Sequence, residues 1–441
     1  MFERFFEFFQ EKETAKKKKA EMSVEQEVQL LKKVTSPVEE GSMPIDISAL
    51  EKTIKEKIPK ALASNAPANF PELYFEFTYT YSKLYDFVLF QELIGKNVVA
   101  LGGGFSSGKS SFLNAMLDNA KILPTSVKPS TSVPAYVIKG EGDKASAINA
   151  FAAKISLNFD DIRAIAHGFG KKSGEEITLG HLLRSLFIAT PVQPYANIAF
   201  LDTPGYSKPD SADYSAKTDE KIAHSQLNNS DYILWFVPAD AGTISVADLN
   251  FLDSLDKNIP KLIIINKVDK VHDKSILDEM KTKMKTDLDL KGIRYEDVLT
   301  YTRKESADCD REQIKAYLQK LDHGRTEYDF AYRFKELFTA CKDYYENMLD
   351  DSKRQLSKLN HVQTLTDNTE ISDTLFELTV KAKANVSDLK ASRERLQELQ
   401  QVFFTEIKEV ADKAHIRMPE PSEIDLLRDR IVDPLSVMDN W

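Results

Sequence analysis

The sequence predicts an α/β protein with a mostly parallel sheet between residues 97 and 302 and helices on both sides of it. Three observations support this prediction. Short apolar runs alternate with longer polar or helical segments in the middle of the chain, which is typical of parallel strands joined by crossover helices. A glycine-rich segment follows the first of these runs. Apolar residues with helical spacing occur both before residue 97 and after residue 311.

The part of the chain that precedes the sheet is predicted to be helical. Residues 1–70 alternate short helical patterns with proline and glycine breaks, so we expect an N-terminal helical region there. Residues 71–95 form one continuous helical run, which we assign as the leading helix of a domain over residues 71–310. The apolar side chains of this run recur with helical spacing and are Leu73, Phe77, Tyr81, Leu84 and Val88.

The predicted strands of the sheet are the apolar runs 98–101, 133–138, 197–201, 232–237 and 261–265. The segment between the second and third runs, residues 141–195, is predicted to be a long helical insertion. After residue 310 the pattern is almost entirely helical, which predicts a C-terminal helical domain over residues 311–441. The apolar stripe of this domain consists of Leu375, Leu378, Ala382, Val386, Leu389, Leu396, Leu399, Phe403, Ile407 and Val410.

Composition and charge exclude several classes of protein. A chain of 441 residues with 42% hydrophobic residues can form two or three domains. Its net charge of -10 argues against nucleic-acid binding through the whole surface. The only cysteines, Cys309 and Cys341, are too few for a disulfide framework or a zinc site, and we expect reduced thiols. No apolar stretch approaches the ~18 to 20 residues of a membrane span, so any membrane contact is expected to be peripheral.

The glycine-rich segment has the spacing of a phosphate-binding loop. Gly103 is separated by four residues from the run Gly108-Lys109-Ser110. Glycines let backbone N–H groups converge on phosphate oxygens, and the helix that follows offers its positive N-terminus. We expect Lys109 to reach the β- and γ-phosphates and Ser110 to bind Mg²⁺. The nucleotide-binding residues of this loop are predicted to be Gly103, Gly104, Phe105, Ser106, Ser107, Gly108, Lys109, Ser110 and Ser111.

Two later motifs indicate which nucleotide the loop binds. Asp202 ends a predicted strand and is placed to bind Mg²⁺, and Gly205 can approach the γ-phosphate with its backbone N–H. Asn266, Lys267 and Asp269 follow another strand. The Asp269 carboxylate can accept hydrogen bonds from guanine N1–H and the 2-amino group, and adenine lacks both donors. Asn266 can connect the base loop to the phosphate loop, and the Lys267 stem can lie over the base. The motifs therefore predict GTP.

These motifs resemble those of the dynamin superfamily of large GTPases, in particular the bacterial dynamin-like proteins. The resemblance rests on the whole phosphate loop, on Leu123-Pro124 and on Pro129-Ser130-Thr131 before the second strand. It implies a GTPase that forms GDP and phosphate with Mg²⁺ and a monovalent cation. The family's switch threonine matches Thr131, which would complete the Mg²⁺ ligands and hold the attacking water. The residues alone leave Thr125, Ser130 and Ser132 as alternatives.

The resemblance also implies roles for individual residues. Lys109, Ser106 and Thr131 are the catalytic residues that it indicates, with Ser106 near the monovalent cation. Phe105 stands where animal dynamins have a glutamine, and a phenylalanine cannot orient water by hydrogen bonding. The last base-contacting loop is expected near residues 300–304, where Thr302 is the candidate contact.

In the dynamin superfamily, helices that precede and follow the GTPase domain in sequence form a neck. This neck carries nucleotide-driven movement to a helical trunk. Residues 71–95 and 311–350 would form such a neck. The implied function is membrane remodelling or a vesicle-associated process, with a GTPase-domain dimer or a second dynamin-like protein as partner and no nucleic acid. The implied location is the cytoplasm, with peripheral contact at the inner face of the membrane left open. A ribosome- or RNA-associated GTPase and a nucleotide-gated interaction protein with little turnover are the alternatives.

The N-terminal segment is amphipathic when drawn as a helix. Phe2, Phe5, Phe6 and Phe9 form one stripe, and four consecutive lysines follow at residues 16–19. An aromatic face beside a basic run is typical of a helix that lies in a membrane interface. Packing of the same stripe on other helices of this protein, or on a partner, is the interpretation that we favour, because Glu3, Glu7, Glu11 and Glu13 oppose anionic lipid.

Overall fold

A computed structural model of the 441-residue chain describes residues 24–38, 45–63, 65–117, 123, 133–167, 179–206, 214–271, 273–304, 309–325, 328–365 and 368–426. The phenylalanine stripe between Phe2 and Phe9 lies outside the described residues, and so do Thr131 and its alternatives Thr125, Ser130 and Ser132. Contacts divide the chain into a sheet unit, residues 1–42 and 96–324, and a helical unit, residues 43–95 and 325–441. The domains predicted as 1–70, 71–310 and 311–441 divide the chain at other positions and remain a prediction.

The sheet unit contains nine strands within its described part, in the order β4-β3-β5-β2-β6-β1-β7-β8-β9. They are β1 (Asn97–Gly102), β2 (Ala135–Lys139), β3 (Lys144–Asn149), β4 (Lys154–Leu157), β5 (Leu183–Thr190), β6 (Ile198–Asp202), β7 (Tyr232–Pro238), β8 (Lys261–Asn266) and β9 (Asp297–Tyr301). The described helices are α1 (Val24–Val34), α2 (Ser48–Lys52), α3 (Ile58–Leu62), α4 (Phe70–Leu89), α5 (Lys109–Met116), α6 (Phe159–His167), α7 (Tyr214–Asn228), α8 (Val246–Ser254), α9 (Lys274–Leu290), α10 (Arg311–Leu321), α11 (Phe330–Gln363) and α12 (Thr369–Lys413).

The predicted mostly parallel sheet is confirmed. β1 pairs in parallel with both β6 and β7, and β7, β8 and β9 continue the parallel part. The pair β2–β5 is parallel, whereas β2–β6, β3–β4 and β3–β5 are antiparallel. All residues of β1, β6 and β8 are buried, because helices cover both faces of such a sheet. This burial explains why the five predicted runs are continuously apolar.

The predicted helical insertion over residues 141–195 is wrong. In its described residues, 141–167 and 179–195, this segment contains three strands, β3, β4 and β5, and one α-helix, α6. β3 alternates small apolar and polar residues, as in Ala145-Ser146-Ala147, and alanine favours helices when a sequence is considered alone. Pairing with β5 decides the conformation of β3, since β5 supplies a buried apolar neighbour along most of its length.

Two helices, one early in the sequence of the sheet unit and one at its end, pack on the sheet core. Leu30 and Val34 of α1 belong to the core cluster, and the Lys33 ammonium pairs with Asp161 at 3.2 Å. The α10 residues Ile314 and Leu318 belong to the same cluster. α10 is therefore part of the sheet unit, although residues 311–350 were predicted to form one neck segment.

The helical unit is built on α4, α11 and α12. The predicted stripe of α4 is largely buried, and its Phe77 ring lies 5.1 Å from the Phe338 ring of α11. Phe338 also contacts Phe403 near the end of α12, at 5.3 Å between centroids. Early residues of α11 thus meet late residues of α12, so these two long helices are antiparallel. The predicted α12 stripe is buried from Val386 onward, whereas Leu378 is exposed. Within the described residues, no helix is long and apolar enough to cross a bilayer.

Candidate nucleotide-binding site

The phosphate loop joins the end of β1 to the start of α5, and two glycines permit its shape. Gly103 and Gly108 have φ angles of 130° and 97°, which other residues rarely adopt. A Cβ on Gly103 would lie 2.4 Å from the Phe236 carbonyl oxygen, and one on Gly108 would lie 2.2 Å from Asn266 Nδ2. Neither position tolerates a side chain, so the backbone of the loop can approach both β7 and the base loop.

Lys109 is the first residue of α5, and its side chain is buried beneath the loop. Its Nζ donates hydrogen bonds to the carbonyl oxygens of Gly103 at 2.8 Å and Gly104 at 3.1 Å. Burial lowers the pKa of Lys109 to about 8, although the charges of Asp202 and Asp248 oppose the shift. The ammonium is therefore mostly charged near neutral pH and lies within the loop where phosphates are expected.

Ser110 and Asp202 meet beside this lysine. The Ser110 hydroxyl donates to Asp202 Oδ2 at 2.6 Å. The other carboxylate oxygen, Oδ1, is buried and has no hydrogen-bond partner among the described residues. Burial raises the pKa of Asp202, and the Ser110 hydrogen bond and the Lys109 charge act in the opposite direction. A buried, incompletely paired carboxylate next to a hydroxyl is the oxygen donor set that suits Mg²⁺.

The segment after β6 runs against the phosphate loop. The Thr203 hydroxyl donates to the Leu101 carbonyl at 2.6 Å, and Tyr206 forms a parallel bridge with Gly104. A Cβ on Gly205 would lie 2.9 Å from the Cα of Phe105, so only glycine fits at this approach. Gly205 and the phosphate loop thus lie close together. Phe105, which faces Gly205 across this contact, is half-buried.

The base motif contacts the phosphate loop from the end of β8. Asn266 Nδ2 donates to the Ser107 carbonyl at 2.8 Å, and its Oδ1 accepts from the backbone N–H of Lys267. Lys267 has a φ of 62°, and its Nζ donates to the Ser106 carbonyl at 2.6 Å. The Ser107 side chain is buried, whereas Ser106 is exposed. The predicted connection of the two loops through Asn266 is present.

Asp269 lies beside the loop that follows β9. Its Oδ1 accepts from the Thr302 hydroxyl at 2.7 Å, and its Oδ2 pairs with the Lys304 ammonium at 2.8 Å. The hydrogen bond from Lys304, followed by that from Thr302, lowers the pKa of Asp269. The carboxylate is therefore ionised at neutral pH, as a hydrogen-bond acceptor for guanine must be.

Sequence reasoning missed some residues of this region. The Tyr206 hydroxyl donates to Asp248 of α8, and burial is the main cause that raises the Tyr206 pKa. Arg311 of α10 contacts the loop after β9. The spacing Ser245-x-x-Asp248 could have indicated a helix start at α8, but no sequence signal marks Tyr206 or Arg311. Ser111 lies half-buried in the first turn of α5.

Comparisons with known proteins give one family match and several matches to solved structures. Residues 99–269 match a family model described as the dynamin family. Two solved chains of an oligomerised bacterial dynamin pair, described in terms of long-range sensing and tethering of membranes, also match. One shares 17% identity over 77% of this chain and 50% of that chain, with a TM-score of 0.39. The other shares 15% identity over 82% and 51%, with a TM-score of 0.41.

The Era protein of Aquifex aeolicus bound to GDP·AlF4⁻ matches with 18% identity over 53% of this chain and 59% of that chain, at a TM-score of 0.31. This chain therefore spans between about half and three fifths of the length of these solved chains. The family match begins in β1 and ends at Asp269, so it contains the phosphate loop, Asp202 and the base motif. Over residues 99–269, which contain all three motifs, the chain is therefore similar to the dynamin family.

Proposed function

We propose that this protein binds GTP with Mg²⁺, hydrolyses it to GDP and phosphate, and couples the reaction to movement of its helices. The observation that carries the proposal is the meeting of three separate motifs at the carboxyl ends of β1, β6 and β8. Lys109 lies under the loop, Ser110 bonds to Asp202, and Asn266 bonds to the loop backbone. Ligands of open α/β sheets bind at this edge of the strands.

Guanine selection is assigned to Asp269, Asn266 and Lys267. The two oxygens of Asp269 would accept the N1–H and the 2-amino group, and Thr302 keeps one of them oriented. Adenine brings no donor to this carboxylate and would place its unprotonated N1 against it, and such polar mismatches are costly. The Lys267 stem crosses from the base motif to Ser106, so it can cover the base.

Hydrolysis is assigned to the phosphate loop and to Gly205. Water attacks the γ-phosphorus, the bond to the β-phosphate oxygen breaks, and one proton is released with GDP and phosphate. Lys109 would neutralise charge on the β- and γ-phosphates, exchanging its bonds to Gly103 and Gly104 for bonds to phosphate oxygens. The Gly205 N–H would bind the γ-phosphate. Groups that are fixed before the substrate arrives, such as backbone N–H donors, lysines and metal ions, usually give the largest contribution to this type of catalysis.

The oxygen donors beside Lys109 fit Mg²⁺. Ser110 and Asp202 would hold the ion, together with Thr131, which lies outside the described residues. The bound ion neutralises negative charge on the phosphates of the substrate. Asp202 Oδ1 supports the assignment, because a buried carboxylate oxygen without a partner is unfavourable unless something binds it.

A second GTPase domain, from another copy or a second dynamin-like protein, is proposed to complete the site. Phe105 has no side-chain group that could orient water, and the exposed Ser106 could bind a monovalent cation instead. Specific activity should then rise with protein concentration, because the active species is a pair. Turnover per chain measured across about a hundredfold concentration range tests this idea. A flat profile, with lipid or partner absent or present, would contradict it.

A membrane-associated process is the proposed setting. Support comes from large apolar side chains that are exposed where α11 ends and α12 begins, namely Val362, Leu365, Ile371, Phe376, Leu378 and Val380. Large apolar side chains that are exposed in one region of a chain are candidates for contact with a membrane or a partner.

The decisive experiment compares GTP and ATP turnover by the full chain and by Lys109→Ala. We expect GTP to be hydrolysed selectively and the variant to lose turnover, because the transition state loses its nearest fixed positive charge. The fold should survive, since α5 keeps its apolar contacts through Phe112 and Leu113. Equal affinity for GTP and ATP, or normal turnover by folded Lys109→Ala, would refute the proposal.

A further inference from the structure

The loop after β9 is attached to the rest of the sheet unit by an arginine that belongs to none of the nucleotide motifs. Arg311 is the first residue of α10. Its Nη2 donates hydrogen bonds to the carbonyl oxygens of Thr302 at 2.8 Å and Lys304 at 3.2 Å. These two residues are the ones that contact Asp269, each through a different carboxylate oxygen. One guanidinium therefore fixes the backbone of both partners of the base-reading carboxylate.

The position of Arg311 is itself fixed by buried structure. Ile314 and Leu318, on the next turns of α10, lie in the sheet core. Asp310, just before the helix, accepts hydrogen bonds from the backbone N–H and the hydroxyl of Thr300, both at 2.7 Å. The guanidinium also lies 5.9 Å from the centre of the Tyr301 ring. α10 thus presents Arg311 from a rigid element, which is what precise positioning requires.

The chemistry of arginine suits this contact. A guanidinium is planar and permanently charged, and its hydrogen bonds to carbonyl oxygens are stronger than those of neutral donors. The Thr302 side chain is almost fully buried, but the Lys304 side chain is 75% exposed, so Lys304 is positioned through its backbone more than through packing. Without the arginine, the Lys304 backbone would lose its hydrogen bond to α10, and the pair between Lys304 and Asp269 would be held less firmly.

We propose that Arg311 is a positioning residue that determines how strictly the site selects guanine. This inference rests on the proposed GTP-binding function. Arg311 keeps the Thr302 hydroxyl and the Lys304 ammonium on Asp269, so that both carboxylate oxygens face the base in one geometry. Guanine needs both oxygens, one for N1–H and one for the 2-amino group. Hypoxanthine keeps N1–H but lacks the 2-amino group, so it depends on one oxygen only.

The test measures the dissociation constants of GDP and IDP for the full chain. The two nucleotides share ribose and diphosphate, so a general loss of structure or of phosphate binding weakens both equally and leaves their ratio unchanged. Arg311→Met removes every donor and keeps an unbranched side chain. Lys315→Met, in the next turn of the same helix, makes a matched change at a residue whose ammonium pairs with the exposed carboxylate of Glu312.

The unmutated protein and Lys315→Met should prefer GDP over IDP by the same factor. Arg311→Met should lower that factor by about threefold or more, which corresponds to a weakened hydrogen bond to the 2-amino group. A smaller change overturns the inference. If Arg311→Met does not fold, Arg311→Gln replaces it in the test, because the shorter glutamine side chain cannot reach both carbonyl oxygens. The same threefold fall in the preference for GDP over IDP is then required. If the unmutated protein prefers neither GDP over IDP nor GDP over ADP, the proposed function itself fails.

Discussion

The carboxylate of Asp269 has two partners within its own site, and both favour its ionised form. Asp269→Asn replaces one acceptor oxygen by an amide that donates. We expect GTP affinity to fall by about 2 kcal/mol or more, because both hydrogen bonds to guanine are disturbed. Xanthine nucleotides should become relatively better ligands, since their 2-oxo group can accept from the new amide. Competition binding with GDP and XDP measures both effects.

A matched control for this prediction is Asp273→Asn. Asp273 is exposed and caps α9 by accepting from the Ser275 backbone N–H, a role that asparagine also fills. The control should leave both nucleotide affinities unchanged. Equal weakening of GDP and XDP by Asp269→Asn would show that this residue does not read the base.

Lys109 links the site to the pH dependence of folding. Burial lowers its pKa from 10.5 to about 8 in the folded protein. Between these two values the unfolded chain binds the proton and the folded chain does not, so stability rises with pH through this window. The unmutated protein should gain up to about 3 kcal/mol of unfolding free energy relative to Lys109→Met between pH 8 and pH 10.5. Denaturant titrations of both proteins without nucleotide measure the difference.

All other ionisable groups are present in both proteins, so their contributions to the pH dependence of stability nearly cancel in the difference between the two. Lys283→Met provides the control, because Lys283 of α9 is exposed. Its difference from the unmutated protein should stay flat with pH. If the difference in unfolding free energy between Lys109→Met and the unmutated protein is also independent of pH, the Lys109 ammonium is not desolvated in the folded state.

At the residue scale, the motif residues could be predicted from sequence because their chemistry is local. A lysine and a serine after a glycine loop have the same neighbours in every fold that forms the loop. Arg311 and Tyr206 could not be predicted, since each acquires its role from residues that are distant in sequence. Their partners are Thr302 and Lys304 for Arg311 and Asp248 for Tyr206.

At the scale of elements, α8 is connected to the segment after β6 by one side-chain hydrogen bond. The Tyr206 ring packs against Phe251 with centroids 4.3 Å apart, and its hydroxyl donates to Asp248. Tyr206→Phe keeps the ring and removes the hydroxyl. We expect a loss of about 1 to 2 kcal/mol of unfolding free energy, because a hydrogen bond to a charged acceptor is lost. We also expect a lower kcat for GTP, since Gly205 directly precedes Tyr206.

Ser245→Ala separates the two effects of this connection. Ser245 caps α8 by accepting from the Asp248 backbone N–H at 3.0 Å, so its removal should cost about 1 kcal/mol of stability. The Ser245 hydroxyl also donates to Asp248 Oδ2 at 2.6 Å, whereas the tyrosine hydroxyl donates to Oδ1. Ser245→Ala therefore keeps the acceptor oxygen of Tyr206 and should leave kcat unchanged. If both variants lower kcat equally, the effect belongs to α8 as a whole and not to the Tyr206 hydroxyl.

Elements differed in how well their sequence indicated them. The buried parallel strands β1, β6, β7 and β8 could be predicted, because burial on both faces produces continuous apolar runs. β3, β4 and β5 were missed. β3 is partly exposed and alanine-rich, and it depends on pairing to become a strand. A signal that depends on neighbours in space is weak in the sequence of one segment.

At the scale of the whole molecule, the assignment of segments to units was the least predictable feature. α1 and α10 belong to the sheet unit, and α4 belongs to the helical unit with α11 and α12. Apolar periodicity shows that a helix has a buried face, but it does not show which core that face joins. The rings that settle the question for α4 are Phe77 and Phe338, which lie far apart in sequence.

The helical unit exposes a group of apolar side chains near the connection between α11 and α12. Leu365 is 71% exposed and Phe376 is 61% exposed, and neither contributes to the core of the unit. If these side chains enter a lipid interface, each provides about 1.5 to 3 kcal/mol of burial energy.

The double variant Leu365→Glu, Phe376→Glu should therefore lose co-sedimentation with liposomes that bind the unmutated protein. GTP turnover without lipid and the melting temperature should remain unchanged, because both positions already face solvent. Leu290→Glu is the matched control, since Leu290 at the end of α9 is 82% exposed in the sheet unit. Loss of liposome binding by Leu290→Glu alone, or full binding by the double variant, would show that lipid contact involves another surface.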